Sequence, residues 1–362
     1  MTNDQLPINN QKLLDVQRLA GAKFESVGSR MIPVSFGNDA AGIEAARQGV
    51  ALVDFCHWGL IKVSGDDRLR YLHNQSTNDF QTRRPGQGCE TVFVTSTART
   101  IDLATAYILA DSVLLLVSPN CRQQIMEWLD RYIFPMDRVG LQDVSDHHAV
   151  FCLIGPVSDA LLTGLGVDIS GEDASHQQLM LGDNQVRIAV GSGLAMPGYT
   201  LICPAENAAQ VWQTLTTAGA IPIGDRVWEQ LRIQQGRPAP GHELTEDYNP
   251  LEAGLWQTIS FSKGCYIGQE TIARLNTYKG VKQRLWGIRL SAPTDLGSVI
   301  TVDGEKVGKL TSLTETDQGV FGLAYIRTKA GGAGLKVILG DVEGEIVAVP
   351  SLSHDYYEPS PE

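Results

Sequence analysis

The chain has 362 residues, 43% of them apolar and 19% charged, which fits folded domains and excludes wholesale disorder. At roughly 150 residues per domain this length predicts two or three domains, each able to bury a core. Lys and Arg total 29 against 41 Asp and Glu, a formal charge of −12 that argues against nucleic acid as the principal partner.

Residues 1–23 are polar and read as irregular. Asp39–Gly49 then reads as a short helix stopped by Gly49, followed by strands at Val50–Phe55 and Leu60–Ser64. Asp66–Gln75 places Leu69 and Leu72 on one helical face. Strands are expected around Thr91–Thr95, Thr100–Leu109 and Val113–Val117. The helix Cys121–Ile133 follows, with Asn120 as its N-cap and Pro135 as its stop. The cycle then repeats: strand Ala149–Ile154, helix Val157–Leu165, strands Val186–Val190 and Tyr199–Cys203. Helices Ala205–Ala218 and Asp225–Gln235 complete it. Two helix-plus-antiparallel-strand blocks predict two α+β layers, with a division near residue 150. From Leu285 six short alternating runs, broken by turns such as Asp303-Gly304, predict a small barrel or sandwich. After Pro350 the tail reads as frayed.

No apolar run reaches the ~18 residues of a membrane span. Residues 1–22 carry Asp4 and Asp15 and lack an apolar signal region. The expected address is the cytoplasm, or an organellar matrix or stroma if an import segment was removed. Six cysteines are scattered without a C-x-x-C pair, which argues against a disulfide framework and against a metal site built from this chain alone. The adjacent His147-His148 and the lone Gly191-Ser-Gly193 carry no chemistry at those spacings.

The segment Gly241–Arg289 concentrates the candidate chemistry. Cys265 lies between Gly264 and Gly268, two residues after Lys263 and just before a helix expected from Gln269. A nearby cation and a helix N-terminus both favour thiolate. The plainer reading makes Cys265 a small buried hydrophobe. Thr271–Thr294 contains no acidic residue but holds Arg274, Lys279, Lys282, Arg284 and Arg289, an attraction for a small anion. Asp102 interrupts an apolar strand. It either sits at a pocket mouth, able to orient an amine or act as a base, or faces solvent on an alternating strand, the reading that burial statistics favour.

Lys263-Gly-Cys-Tyr-Ile-Gly-Gln-Glu270 resembles the K-G-C-[FY]-x-G-Q-E signature of the YgfZ family, folate-binding relatives of the glycine-cleavage aminomethyltransferase that support iron–sulfur cluster assembly and repair. Leu231-Arg-Ile233, Gly241-His-Glu-Leu-Thr-Glu246, Pro250-Leu-Glu-Ala-Gly-Leu255 and Thr77-Asn-Asp79 resemble further family segments in the same order. The resemblance implies an α+β, aminomethyltransferase-like fold. Two interleaved domains over 24–282 would surround a central folate channel, with a β-barrel over 283–350 and irregular ends at 1–23 and 351–362. It further implies tetrahydrofolate as cofactor and iron–sulfur client or assembly proteins as partners, or else aminomethyl or related one-carbon transfer. Cys265, Lys263 and Asp102 would carry the chemistry, and Asp102, Tyr199, Arg274 and Lys279 would hold the folate; no metal ligand is expected. Against the transferase pattern N-x-x-G-G-x-x-D-D, this chain keeps Asp102 but has Ala98 and Arg99 for the glycines. Where the transferase reads G-Y-T-G-E, this chain reads Gly198-Tyr-Thr-Leu-Ile-Cys203, so Leu201 follows the threonine and the glutamate is missing.

Overall fold

The computed structural model describes residues 8–28 and 30–358. In chain order the elements are α1 (Ile8–Leu19), β1 (Lys23–Val27), β2 (Arg30–Ser35), α2 (Asp39–Gln48), β3 (Ala51–Asp54), β4 (Gly59–Ser64) and α3 (Arg68–Gln75). Next come β5 (Gly88–Val94), β6 (Thr100–Ile108), β7 (Ser112–Val117), α4 (Arg122–Asp130), β8 (Gly140–Asp143), β9 (His148–Ile154) and α5 (Ser158–Gly164). They are followed by β10 (His176–Leu181), β11 (Asn184–Val190), β12 (Gly198–Pro204), α6 (Ala208–Thr217), β13 (Ile221–Ile223), α7 (Asp225–Gln235) and α8 (Gln269–Thr277). The last six strands are β14 (Gln283–Leu290), β15 (Val299–Val302), β16 (Glu305–Thr316), β17 (Gly319–Arg327), β18 (Lys336–Leu339) and β19 (Val342–Val347).

The chain forms two compact units and crosses between them several times. The first takes the chain up to Arg68, then Arg83–Cys89 and Thr105–Trp228; the second takes Leu69–Thr82, Glu90–Ala104 and everything from Glu229. Val150 lies inside β9, which is paired on both sides, with β12 and with β3.

In the first unit a six-stranded sheet runs β10-β11-β12-β9-β3-β13. Its core gathers Phe151, Leu153 and Leu201 from the strands with Leu13 of α1 and Val211 and Trp212 of α6. Each such side chain contributes roughly 1.5–3 kcal/mol on burial. Helix α1 corrects the expectation of an irregular N-terminus: Leu13 and Leu14 are buried on one face of a helix that polar neighbours mask in the sequence. Asn120 does not cap α4. It adopts φ +65°, and the helix begins after Cys121 with no side-chain cap.

In the second unit β14-β17-β16-β15-β18-β19 close into a barrel, at the six runs the alternation predicts. Ile288, Leu310, Ala324 and Ile346 fill its interior. The barrel is joined to α7 by a buried ion pair. Arg232 donates to Glu243 Oε2 at 3.0 Å, while Thr311 and Ser312 of β16 donate to Glu243 Oε1 at 2.6 Å each. Tyr325 donates to the Glu243 carbonyl and stacks on Tyr248 with centroids 3.5 Å apart. Burial works against the Arg232 charge, but Glu243 and Glu229 outweigh it and raise its pKa. Removing one partner of such a pair costs about 3–5 kcal/mol.

The tail is not frayed through Glu358. His354 packs on Trp286 with ring centroids 3.8 Å apart, Tyr357 stacks on Phe261, and Asn276 exchanges two hydrogen bonds with the Tyr357 backbone. Aromatic residues spaced too irregularly for any element carry this docking.

His176, buried in the first unit, accepts a hydrogen bond from Arg187 through Nδ1 at 2.9 Å. Burial, then the Arg187 charge, lower its pKa to about 4 from an ordinary 6.5. The unfolded chain therefore binds more protons between those values, and stability falls as pH drops from about 6.5 to 4. Urea unfolding of His176→Gln across this window should show an acid-induced loss smaller than wild type by about 1–2 kcal/mol. Parallel curves would exclude His176 as a source of that loss.

Candidate functional site

The Lys263 side chain is buried, and its ammonium donates to the backbone carbonyls of His73, Ser76 (2.8 Å) and Asn78 (2.6 Å). An ammonium has three protons, and three carbonyls take them. The end of α3 and the turn that follows are thereby tied to the segment 260–268. Two backbone bonds support the tie: Ser260 N–H donates to Thr77 O and Ile267 N–H to Asn74 O. The Tyr266 ring lies 4.5 Å from the ammonium. The expectation that Lys263 acts on the thiol meets a different arrangement, because its protons are directed at these carbonyls.

Cys265 is the exposed cysteine of the six; Cys56 is half-buried and the other four are buried. The reading of Cys265 as a buried hydrophobe is therefore corrected, and the loop that carries it is fixed on its inner side by Lys263. The expected helix starts at Gln269, but the Gln269 amide donates to Tyr266 O rather than facing the thiol.

Gly268 precedes this helix at φ +84°. A Cβ there would lie 3.0 Å from the Thr95 carbonyl oxygen and 3.2 Å from the Ala98 Cα. This glycine therefore admits the chain's own Thr95–Arg99 turn, which leads directly into the strand bearing Asp102. Ala98 holds φ +61° within that turn, the conformation that explains a glycine at the matching position of the transferase pattern.

Asp102 does not face solvent: it is fully buried. The alternation argument fails because β6 is covered on both faces through most of its length. Leu103 packs with Val92, Val94, Leu244 and Ala253. Asp102 shares the opposite face with Thr100, whose hydroxyl donates to the Thr245 carbonyl at 2.9 Å.

The remaining candidates are dispersed. Tyr199 belongs to the core of the first unit and donates to Asp159 at 3.0 Å; burial, then Asp159, raise its pKa to about 12. Arg274 is exposed on α8. Lys279 follows that helix and pairs with Glu358 at 3.0 Å, both exposed.

Sequence reasoning missed two groups. The Arg232–Glu243 pair sits inside the family segments without any local signal of partnership. His73 and Asp79 form the second. Asp79 Oδ1 lies 2.9 Å from His73 Nδ1 and also accepts from the Gln81 amide, while Thr82 donates its hydroxyl to Oδ2. Burial pushes the Asp79 carboxyl up, but the bonds from Thr82, Gln81 and His73 outweigh it and hold the pKa below the usual range. The spacing of six residues across a helix end gave no pattern to read.

Residues 13–263 match the GCVT N-terminal domain family. A chloroplastic protein of Arabidopsis thaliana, provisionally named a transferase, is 46% identical over 355 residues, covering 97% of this chain and 81% of that protein. The aminomethyltransferase of Geobacillus kaustophilus is 30% identical, covering 93% of this chain and 97% of the enzyme. The crystal structure of the glycine cleavage system aminomethyltransferase T from Bartonella henselae superposes with a TM-score of 0.83 at 19% identity, covering 96% of this chain and 99% of that one.

Gly268→Ala forces a left-handed alanine against the Thr95 carbonyl, so urea unfolding should show a loss of about 2–3 kcal/mol. Gly264→Ala is the control, since its Cβ would meet nothing nearer than 3.9 Å. Equal stability of the two variants would contradict the close approach at Gly268.

Proposed function

Since the chain belongs to the GCVT N-terminal domain family and has the aminomethyltransferase fold, we propose that it binds tetrahydrofolate and that Cys265 is its functional thiol, serving assembly or repair of iron–sulfur clusters in client enzymes. Family membership supports the folate half. The exposure of Cys265 on a loop anchored by Lys263 supports the thiol half, and is the observation that carries it.

The residues fit the folate in part. Asp102 is a buried carboxylate able to accept a proton or hydrogen bond from an amine nitrogen of the ligand. The exposed Arg274 guanidinium suits the anionic tail. Tyr199 does not fit as a direct contact, because its hydroxyl is already given to Asp159. Leu201 and Ile202, which follow Thr200 where the transferase pattern runs on to glycine and glutamate, are buried and supply no carboxylate. Tetrahydrofolate supplies a nitrogen that can carry a one-carbon unit. The chain's own part is to orient that nitrogen with Asp102 and to present a thiol on an exposed loop.

One-carbon transfer to or from tetrahydrofolate is the second reading. The coverage of whole aminomethyltransferases and the burial of Asp102 favour it, and the relatives' names speak for it more directly than for iron–sulfur service. Incubation with tetrahydrofolate and an aminomethylated carrier protein tests it: turnover above background establishes transfer, and none excludes it.

Calorimetry with tetrahydrofolate should show saturable binding that Asp102→Asn weakens about tenfold, the loss of one charged hydrogen bond. No heat at millimolar folate would remove the folate half. In cells lacking the native gene, Cys265→Ala should fail to restore cluster-dependent enzymes; full rescue would remove the thiol half.

A further inference from the structure

His73, at the end of α3, is 5% exposed. Its Nδ1 faces the Asp79 carboxylate at 2.9 Å, and Nε2 has no hydrogen-bond partner among the described residues. Burial lowers the His73 pKa, with the Lys263 ammonium acting in the same direction and Asp79 opposing, so the ring is neutral at neutral pH. An ionised carboxylate only accepts. The one ring proton therefore sits on Nδ1, and Nε2 carries a lone pair.

That lone pair lies beside the Cys265 loop. A Cβ built on Gly264 would sit 3.9 Å from Nε2, so the glycine leaves the imidazole edge uncovered. Cys265 is the next residue, one Cα step of about 3.8 Å along the chain. Three groups thus follow one another: a carboxylate on Nδ1, a buried imidazole, and an exposed thiol on the residue after the one that Nε2 faces. The charged groups facing the imidazole are Asp79, from the turn after α3, and Lys263, whose protons are held by carbonyls.

We propose that His73, oriented by Asp79, is the base that takes the proton of the Cys265 thiol. The S–H bond breaks, the electron pair stays on Sγ, and the proton forms a bond to Nε2. The resulting imidazolium is held between two anions, the new Cys265 thiolate on its Nε2 side and the Asp79 carboxylate across the Nδ1–H bond, which together oppose burial and the Lys263 charge. Lys263 is then a positioning residue: it fixes the His73 backbone and the loop to one another. The inference deepens the proposed function by supplying its thiol with a base, and it rests on Cys265 being the reactive group.

The test is the pH profile of Cys265 alkylation by iodoacetamide on the purified full chain, read by peptide mass spectrometry. Wild type should react about tenfold faster than His73→Gln at pH 7, with the ratio closing above pH ~9, where an ordinary thiol ionises unaided. Asp79→Asn should slow the reaction in the same direction, because an amide can donate to Nδ1 and move the ring proton to Nε2. Alkylation of the buried cysteines reports unfolding, and where His73→Gln unfolds, Asp79→Asn carries the test. Superimposable profiles for wild type and folded variants would overturn the base assignment. A moved profile together with full cellular rescue by Cys265→Ala would uphold the base while removing the iron–sulfur reading.

Discussion

The ammonium of Lys263 holds three backbone carbonyls that close the turn after α3. Without it those carbonyls would face each other at the edge of a buried region, where an unmet acceptor costs about 1–3 kcal/mol. Everything proposed for the loop 263–268 depends on this contact, because it sets where Gly264 lies against His73 and where Cys265 emerges. The lysine is a structural cation. Its charge is committed to holding geometry, and the acid–base role is the one proposed for the imidazole that it helps to place.

The same economy appears around Glu243. One carboxylate accepts from Arg232, Thr311, Ser312 and the Ala239 amide, so α7, the 239–244 turn and strand β16 share a single acceptor. Tyr248 and Tyr325 stack beside it, and the Tyr248 carbonyl accepts from the Thr100 amide at the head of the Asp102 strand. In the second unit the family segments are thus neighbours for a mechanical reason. Segments 95–102 and 231–246 meet through the Thr100 hydroxyl bond to the Thr245 carbonyl, and Gly268 of 263–270 approaches Thr95 and Ala98 closely.

The barrel was legible because its strands alternate and its turns carry glycine. Helix α7 was legible from Asp225 at its start and Gly236 at its end. Less was legible where covering comes from distant chain. Asp102 reads as solvent-facing until β6 is seen covered on both faces, and the tail reads as frayed until Trp286 and Phe261 receive His354 and Tyr357. The octet drew attention to the loop 263–268, yet it did not show that Lys263 turns inward. No periodicity announces a bond between a side chain and carbonyls 185 to 190 residues away. His73 and Asp79 escaped for a related reason: their meaning comes from Gly264, a residue with no side chain to notice.

The anchoring role of Lys263 is tested most directly by amide hydrogen exchange in Lys263→Met. The Ile267 and Ser260 amides, bonded to Asn74 O and Thr77 O, should exchange at least tenfold faster than in wild type, with barrel amides unchanged. Unaltered protection at both positions would contradict the account.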